Sequence, residues 1–335
     1  MIEHLILNNE ELSAYGNSST LSRQMNLLLE QQYETWGLLQ QNYKGLETVK
    51  IKTFNFADFE VKVQYNPSRI TSSAAKVDDA SIKARKSFLH YNNLPTEQKG
   101  ILFKDNYLIL CNPYPIFNEH FTIPVIDQSP QTIVGKYKDF LELTKAIADK
   151  YVVFYNGPKC GASAPDHMHF QAGNKNFMPL DTEYFSIIKK FGKVEFEDES
   201  VKIYSVTNYL RNFIAIESSD INKAEENFYK TLNYIKTVTG EPNEPMLNIL
   251  GYYINDVWIT IIFPREKHRP TYYFEEGDKN ILLSPASVDM GGVCITPLEK
   301  DFEKITKEEI IDIYNQVSLN GEKFKKVCNL LNQKV

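Results

Sequence analysis

The chain has 335 residues, of which 42% are hydrophobic and 24% charged, and a formal net charge of −6. That length is too great for one small core and predicts two domains. The acidic balance argues against a general nucleic-acid binder, and no apolar run of about 18 residues offers a membrane span.

The first residues, Met1 to Glu11, lack a basic segment and a long apolar core, so a secretory signal is not expected. Cys111, Cys160, Cys294 and Cys328 are scattered without a Cys-x-x-Cys pair. This usage fits a reducing cytoplasm and supplies no cysteine-based zinc site.

Residues 17–41 predict a helix, with Ser18, Ser19 or Thr20 as its cap and Leu21, Met25, Leu28, Leu29 and Trp36 as its apolar stripe. Residues 50–66 alternate as strands, with Ile51, Phe54, Phe56, Phe59, Val61 and Val63 as packing positions. Residues 67–100 read as a long polar, irregular segment, which is usually functional or disordered. Two strands are expected over 101–126, separated by Asn112-Pro-Tyr-Pro115, and a helix over 131–150. A strand, Tyr151-Val-Val-Phe-Tyr155, leads into a loop and the segment His167-Met-His169-Phe-Gln171.

The second half repeats this order more loosely. Strands are expected at 201–206 and 211–217, a helix at 221–238, and strands at 246–254 and 257–263 around an Asn255-Asp256 turn. Residues 287–297 read as another strand. Thr306 and Glu309 form a capping-box pair ahead of a helix that Asn320-Gly321 ends, and a last helix carries Phe324, Val327, Leu330 and Leu331. Periodicity alone gives an α+β protein with two similar halves, each an antiparallel sheet with covering helices.

The chemistry concentrates between Asn156 and Gln171. On a strand, residues i, i+2 and i+4 share a face, so His167, His169 and Gln171 are expected to point one way and Met168 and Phe170 into a core. Two imidazoles and an amide beside a small-residue loop suit phosphate chemistry. One imidazole can attack phosphorus, the amide can hold a non-bridging oxygen, and the loop's N–H groups can accept the charge. Asn156, Gly161 and Ser163 are expected to line the phosphate pocket, with Lys159 adding charge. The competing reading of that loop is an ordinary strand-to-strand turn. Arg69, Lys76 and Arg85 in the long polar segment could close over phosphates or stand solvated. The Arg265-Glu-Lys-His-Arg269 cluster could bind a second phosphate or form an exposed turn.

Asn156-Gly-Pro-Lys-Cys-Gly-Ala-Ser163 followed by H-x-H-x-Q resembles the histidine-triad superfamily, in the branch whose third histidine is glutamine. That branch holds galactose-1-phosphate uridylyltransferase, diadenosine tetraphosphate phosphorylase and GDP-L-galactose phosphorylase. Asn112 to Pro124 resembles the superfamily's upstream segment, and Gln64 to Arg69 the strand that brings a basic residue near phosphate. Phe263 to Arg269, Ser284-Pro-Ala and Ile305 to Phe324 are similar to the second half of GDP-hexose phosphorylases. The resemblance implies two histidine-triad-like domains: an N-terminal helical segment (1–48), a catalytic domain (49–195) and a second domain without the motif (196–335). It also implies a nucleotidyltransferase or phosphorylase working through a covalent nucleotidyl-histidine, with His169 as nucleophile and Gln171 holding a phosphoryl oxygen. GDP-hexoses are the favoured substrates. A hydrolase of the same fold and a nucleotide-binding protein without turnover are the alternatives.

The implied partners are a small nucleotide substrate and phosphate or a sugar phosphate, with no nucleic acid or membrane. A homodimer is a further expectation. No cofactor is required. Zinc is a candidate, because relatives bind it with a histidine matching His167, a second matching His120, and two cysteines. Here Ser87 and His90 stand at the cysteine positions, so His90, His120 and His167 are the remaining candidate ligands. The other reading of His167 is that it shapes the site through its backbone.

Overall fold

The computed structural model describes residues 2–17, 19–74 and 78–333; Ser18 and Lys76 lie outside them. Two helices, α1 (Leu21–Thr35) and α2 (Gly37–Gly45), replace the single one expected over 17–41. Trp36 splits them by adopting extended backbone and burying its ring. Thr20 is the cap, its hydroxyl accepting from the Arg23 N–H.

Strands β1 (Lys50–Asn55) and β2 (Glu60–Tyr65) pair antiparallel. Val61 and Val63 are fully buried, but Ile51, expected to pack, is 55% exposed. It sits on the edge strand of its sheet. The segment expected to be irregular instead holds short helical turns at Pro67–Arg69, Ile70–Ser73, Asp79–Lys83 and Tyr91–Asn93.

Three strands follow where two were expected: β3 (Gly100–Phe103), β4 (Tyr107–Cys111) and β5 (His120–Pro124). The β3–β4 turn, Lys104-Asp-Asn106, places Lys104 and Asp105 at positive φ. Helix α3 (Tyr137–Ala146) is shorter than expected, and β6 (Tyr151–Asn156) and β7 (His169–Asn174) complete the first half. Helix α4 (Pro179–Phe191) and strand β8 (Gly192–Glu197) were not legible from periodicity.

The second half then repeats the order: β9 (Val201–Val206), β10 (Phe213–Ser218), α5 (Ile221–Thr239), β11 (Leu247–Ile254) and β12 (Val257–Pro264). Asn255 and Asp256 both take positive φ, as a tight hairpin turn requires. Residues 287–297 are not one strand. They divide into a single helical turn, Ser287–Met290, and β13 (Val293–Thr296). Helix α6 (Lys307–Val317) carries the expected capping box. Asn320 starts the next helix rather than ending this one, since its side chain accepts from the Lys323 N–H at the head of α7 (Gly321–Leu331).

The protein is α+β, with antiparallel sheets and covering helices as expected. The two half-sheets, however, are one. Ten strands run in the order β3-β4-β5-β7-β6-β11-β12-β10-β9-β8. The halves mirror each other about the antiparallel β6–β11 pair, in which Asn156 stands opposite Asn248. Side-chain alternation divides the core into two layers. Tyr151, Val153, Phe170 and Ile249 face a helical layer that includes residues of α1, α3, α5 and α7. Val152, Phe154, Leu250 and Ile261 face the other layer, with β2, β13, α4 and α6. A second sheet, β1-β2-β13, lies in that layer, with β13 parallel to β2.

Gly251 on β11 sets how closely α3 approaches the sheet. A Cβ there would lie 2.6 Å from the Phe140 ring and 2.8 Å from the Thr144 hydroxyl. Gly251→Ala is therefore expected to destabilise the protein by about 1–3 kcal/mol through overpacking. The check is urea unfolding, with a lower midpoint at unchanged slope.

Candidate active site

The face of the sheet opposite the helices carries the polar residues. Strand β5 contributes His120 and Thr122, β6 contributes Asn156, and β7 contributes His169 and Gln171, while their neighbours Phe121, Ile123, Tyr155, Phe170 and Ala172 enter the helical core. Register brings them together: Thr122 and Phe154 flank Gln171. Above them opens a cavity of about 490 Å³, lined among others by Arg69, Arg85, Asn156, Gly161, Ser163, His169 and Gln171. The second half closes it with His268, Arg269, Ser284, Ala286 and Asp289, and Trp36, Leu38 and Phe88 supply an apolar wall.

His169 is held on three sides. Its backbone N–H donates to Gln131 Oε1 at 2.8 Å, and its carbonyl accepts from Gln131 Nε2 at 3.1 Å. Its ring Nδ1 lies 2.8 Å from the His167 carbonyl. A carbonyl can only accept, so the proton sits on Nδ1 and the lone pair on Nε2. Burial pushes the imidazole pKa down to about 4, which keeps the ring neutral at pH 7. The result is a fixed, uncharged imidazole at the cavity wall.

Two amides flank it, Asn156 held by a backbone donor and Gln171 by the His120 ring. The Asn156 Oδ1 accepts from the Ser287 N–H at 2.8 Å and from Asn248 Nδ2 at 2.9 Å. Its oxygen is thus occupied, and its N–H groups remain to donate. Asn248 is in turn gripped by Arg265, whose guanidinium also donates to the carbonyls of Val317, Pro285, Lys267 and His268. The Gln171 Oε1 lies 3.0 Å from His120 Nε2, and the Ile116 N–H donates to His120 Nδ1 at 3.2 Å.

Residues 28–174 match a family described as a domain of unknown function, DUF4922, and residues 186–335 match the GDPGP1-like, C-terminal domain. No curated protein matches the chain by sequence. Among solved structures, yeast Ap4A phosphorylase Apa2 is similar with a TM-score of 0.57 at 15% identity, over 87% of this chain and 94% of that one. Its complex with AMP gives a TM-score of 0.57 at 15% identity, over 88% and 96%. Its complex with Ap4A gives 0.52 at 15% identity, over 87% and 97%. The fold is similar to that of the phosphorylase across most of the chain's length, and the second half matches the GDPGP1-like C-terminal domain.

Several expectations need correction. His167 precedes β7, so strand alternation does not reach it. Its ring turns away from the cavity, with Nδ1 3.1 Å from the Ser87 hydroxyl and Nε2 2.7 Å from the Val125 carbonyl. It acts on His169 through its backbone carbonyl, one of its two expected roles. Lys159 is exposed and lies outside the cavity lining. Arg265 is fully buried, and its donors go to protein acceptors rather than toward a phosphate.

The three-histidine zinc site is not formed. Both ring nitrogens of His120 and of His167 are engaged by protein groups, and His90 takes the Asn92 N–H on Nδ1. No group of metal-ligating side chains converges among the described residues. A zinc ion therefore does not fit these residues as they stand, and no step below uses one.

Other expectations are met in position. Arg69 lines the cavity, its Nη1 donating to the Tyr114 carbonyl at 2.6 Å. Arg85 lines it too and ties the polar segment to the loop through the Ser163 carbonyl at 2.8 Å and Asp166 at 3.1 Å. Gly161 adopts φ +92°, and a Cβ there would lie 2.4 Å from Ala286 Cβ, so only glycine allows the loop to meet the second half. Gln131, Asn248, Ser287 and Asp289 were not foreseen. They are isolated polar residues in apolar or loop surroundings, and only the β6–β11 pairing and chain crossings give them meaning. Asp289, buried at the cavity, has its carboxyl pKa raised to about 6 by burial.

The depressed basicity of His169 has a testable sign. Its native pKa of about 4 lies below the roughly 6.5 of an unfolded histidine. The unfolded chain thus binds the proton more readily, and this contribution to stability is complete above about pH 6.5 and is lost as the pH falls to about 4. Histidine NMR titration should place the His169 transition near 4. A transition near 6.5 would contradict the buried, neutral ring.

Proposed function

We propose that the protein is a nucleotidyltransferase of the phosphorylase type, acting on a nucleoside diphosphate sugar or dinucleoside polyphosphate through a nucleotidyl-His169 intermediate. The observation that carries this reading is the neutral, Nδ1-protonated His169 in one cavity with the amides of Asn156 and Gln171 and the guanidinium of Arg69. GDP-hexose is the favoured substrate class, on the resemblance of Phe263 to Arg269 and Ser284-Pro-Ala to GDP-hexose phosphorylases. The fold-level likeness to an Ap4A phosphorylase keeps dinucleoside polyphosphates as the second substrate class.

In the first step, His169 Nε2 attacks the α-phosphorus. A P–N bond forms and the P–O bond to the distal group breaks, so that group leaves as a phosphate ester carrying the bonding electrons. A phosphate leaving group is stable as an anion and needs no proton. This explains how an amide can stand where a titratable third histidine would serve a hydrolase. Asn156 and Gln171 offer N–H donors to the non-bridging oxygens, and the Arg69 guanidinium offsets negative charge. In the second step an oxygen of inorganic phosphate attacks, the P–N bond breaks, and a nucleoside diphosphate leaves with His169 restored.

Intact-mass spectrometry tests this directly. The protein is incubated briefly, without phosphate, with GDP-, UDP- and ADP-glucose and with diadenosine tetraphosphate. The expected result is a gain of one nucleoside monophosphate with at least one of these, absent in His169→Ala. Release of monophosphate with no phosphate present would instead mark a hydrolase, and absence of both adduct and product would sink the reading. In steady-state assays, Gln171→Ala should slow turnover by about 10²-fold, the scale of one lost oxyanion donor. Lys159→Ala should leave the rate within about twofold, as expected of an exposed side chain outside the cavity.

A further inference from the structure

We infer that His120 is a positioning residue, whose ring holds the Gln171 amide with its N–H groups turned to the reacting phosphoryl group. The inference rests on the proposed nucleotidyl transfer and gives His120 a role unlike the metal ligation its sequence position suggested.

The argument begins with an unambiguous donor. The Ile116 backbone N–H points at His120 Nδ1 at 3.2 Å. A backbone N–H cannot accept, so Nδ1 carries the lone pair. His120 is fully buried, and burial together with the nearby Arg69 charge lowers its pKa to about 3. The ring is therefore neutral and has one proton, which must sit on Nε2. That atom faces Gln171 Oε1 at 3.0 Å. A donor there selects the oxygen of the amide and rejects its nitrogen. The Gln171 N–H groups then point away from His120, on the cavity side where Gln171 lines the wall beside His169.

The opposite rotamer would set an amide oxygen against a phosphoryl oxygen, a repulsion in place of a donor. An unassisted glutamine chooses between the two by small differences, and a terminal amide torsion is broad. Ring contacts hold the selector in place. The His120 ring makes an edge contact with Phe117, with ring centroids 5.3 Å apart, and lies tilted against Phe154, with centroids 6.0 Å apart. The Tyr43 hydroxyl donates to the His120 carbonyl at 3.1 Å. Asn156 has a parallel device, since the Ser287 N–H and Asn248 fix its oxygen from behind. His120 thus does for the β7 amide what the second half does for the β6 amide.

The test is a double-mutant cycle, run with whichever of GDP-, UDP- or ADP-glucose or diadenosine tetraphosphate loads the wild-type chain. His120→Ala should lower kcat by about 10- to 100-fold with a much smaller change in KM. His120→Gln, which restores a donor at the Nε2 position, should recover most of the loss. In the Gln171→Ala background, His120→Ala should change kcat by no more than about twofold. Additive losses, or equal losses for the alanine and glutamine variants, would overturn the inference. A second measurement needs no turnover. In full-length protein with ¹⁵N-labelled histidine, the His120 resonance (identified by its loss in His120→Gln) should show a proton on Nε2 and none on Nδ1. A proton on Nδ1 would refute the positioning role. If no nucleotide loads the wild-type chain, the proposed function fails, while the tautomer still decides the role of His120.

Discussion

The antiparallel pairing of β6 with β11 is the constraint on which the rest depends. It joins two half-sheets into one and sets Asn156 against Asn248. Once that register is fixed, the segment after β12 crosses back over the first half. Ser287 then reaches the Tyr155 carbonyl and the Asn156 side chain, and Gly161 meets Ala286. A slip of one residue would turn every side chain on β11 to the other face. It would remove Asn248 from Asn156 and carry Leu250 out of the core. The same hydrogen-bond ladder that stabilises the sheet therefore determines the geometry of the cavity.

The site works with neutral groups held in fixed orientations. His167, His169 and His120 are all less basic than free histidine, chiefly because they are buried. Each also has a backbone partner that fixes its tautomer: Val125, His167 and Ile116 respectively. Backbone groups cannot change protonation state or rotate freely, so they make reliable references for side chains that can. The cationic groups, Arg69, Arg85 and Arg269, line the cavity around these neutral residues.

The sequence made the site legible where chemistry and period coincide. His169 and Gln171 fall two residues apart on one strand, Phe170 between them enters the core, and Gly161 and Ser163 mark the loop. The α+β class and the repeated order of elements were legible for the same reason. Other features depend on contacts between distant residues, and period carries no trace of them. Nothing near Asn248 or Gln131 signals that the first fixes Asn156 from 92 residues away or that the second clamps the His169 backbone. His167 shares the spacing of His169 but precedes the strand, so the alternation rule misplaced its ring. His120 was legible as a residue of interest and misread in role, because only the Ile116 N–H reveals its tautomer. Lys159 was expected to add charge to the pocket, yet it is exposed and outside the cavity lining.

The hairpins of the two halves differ in their connections. Between β6 and β7 the chain makes the long loop that holds Gly161 and Ser163, whereas between β11 and β12 it makes only the turn Asn255-Asp256. The mirrored position thus has no loop to cradle an anion, although its strands and helix are alike. The pairing of the halves is thus near-symmetric in its strands and asymmetric in its connections, and exchanging the two hairpins would leave Gly161 and Ser163 without a counterpart.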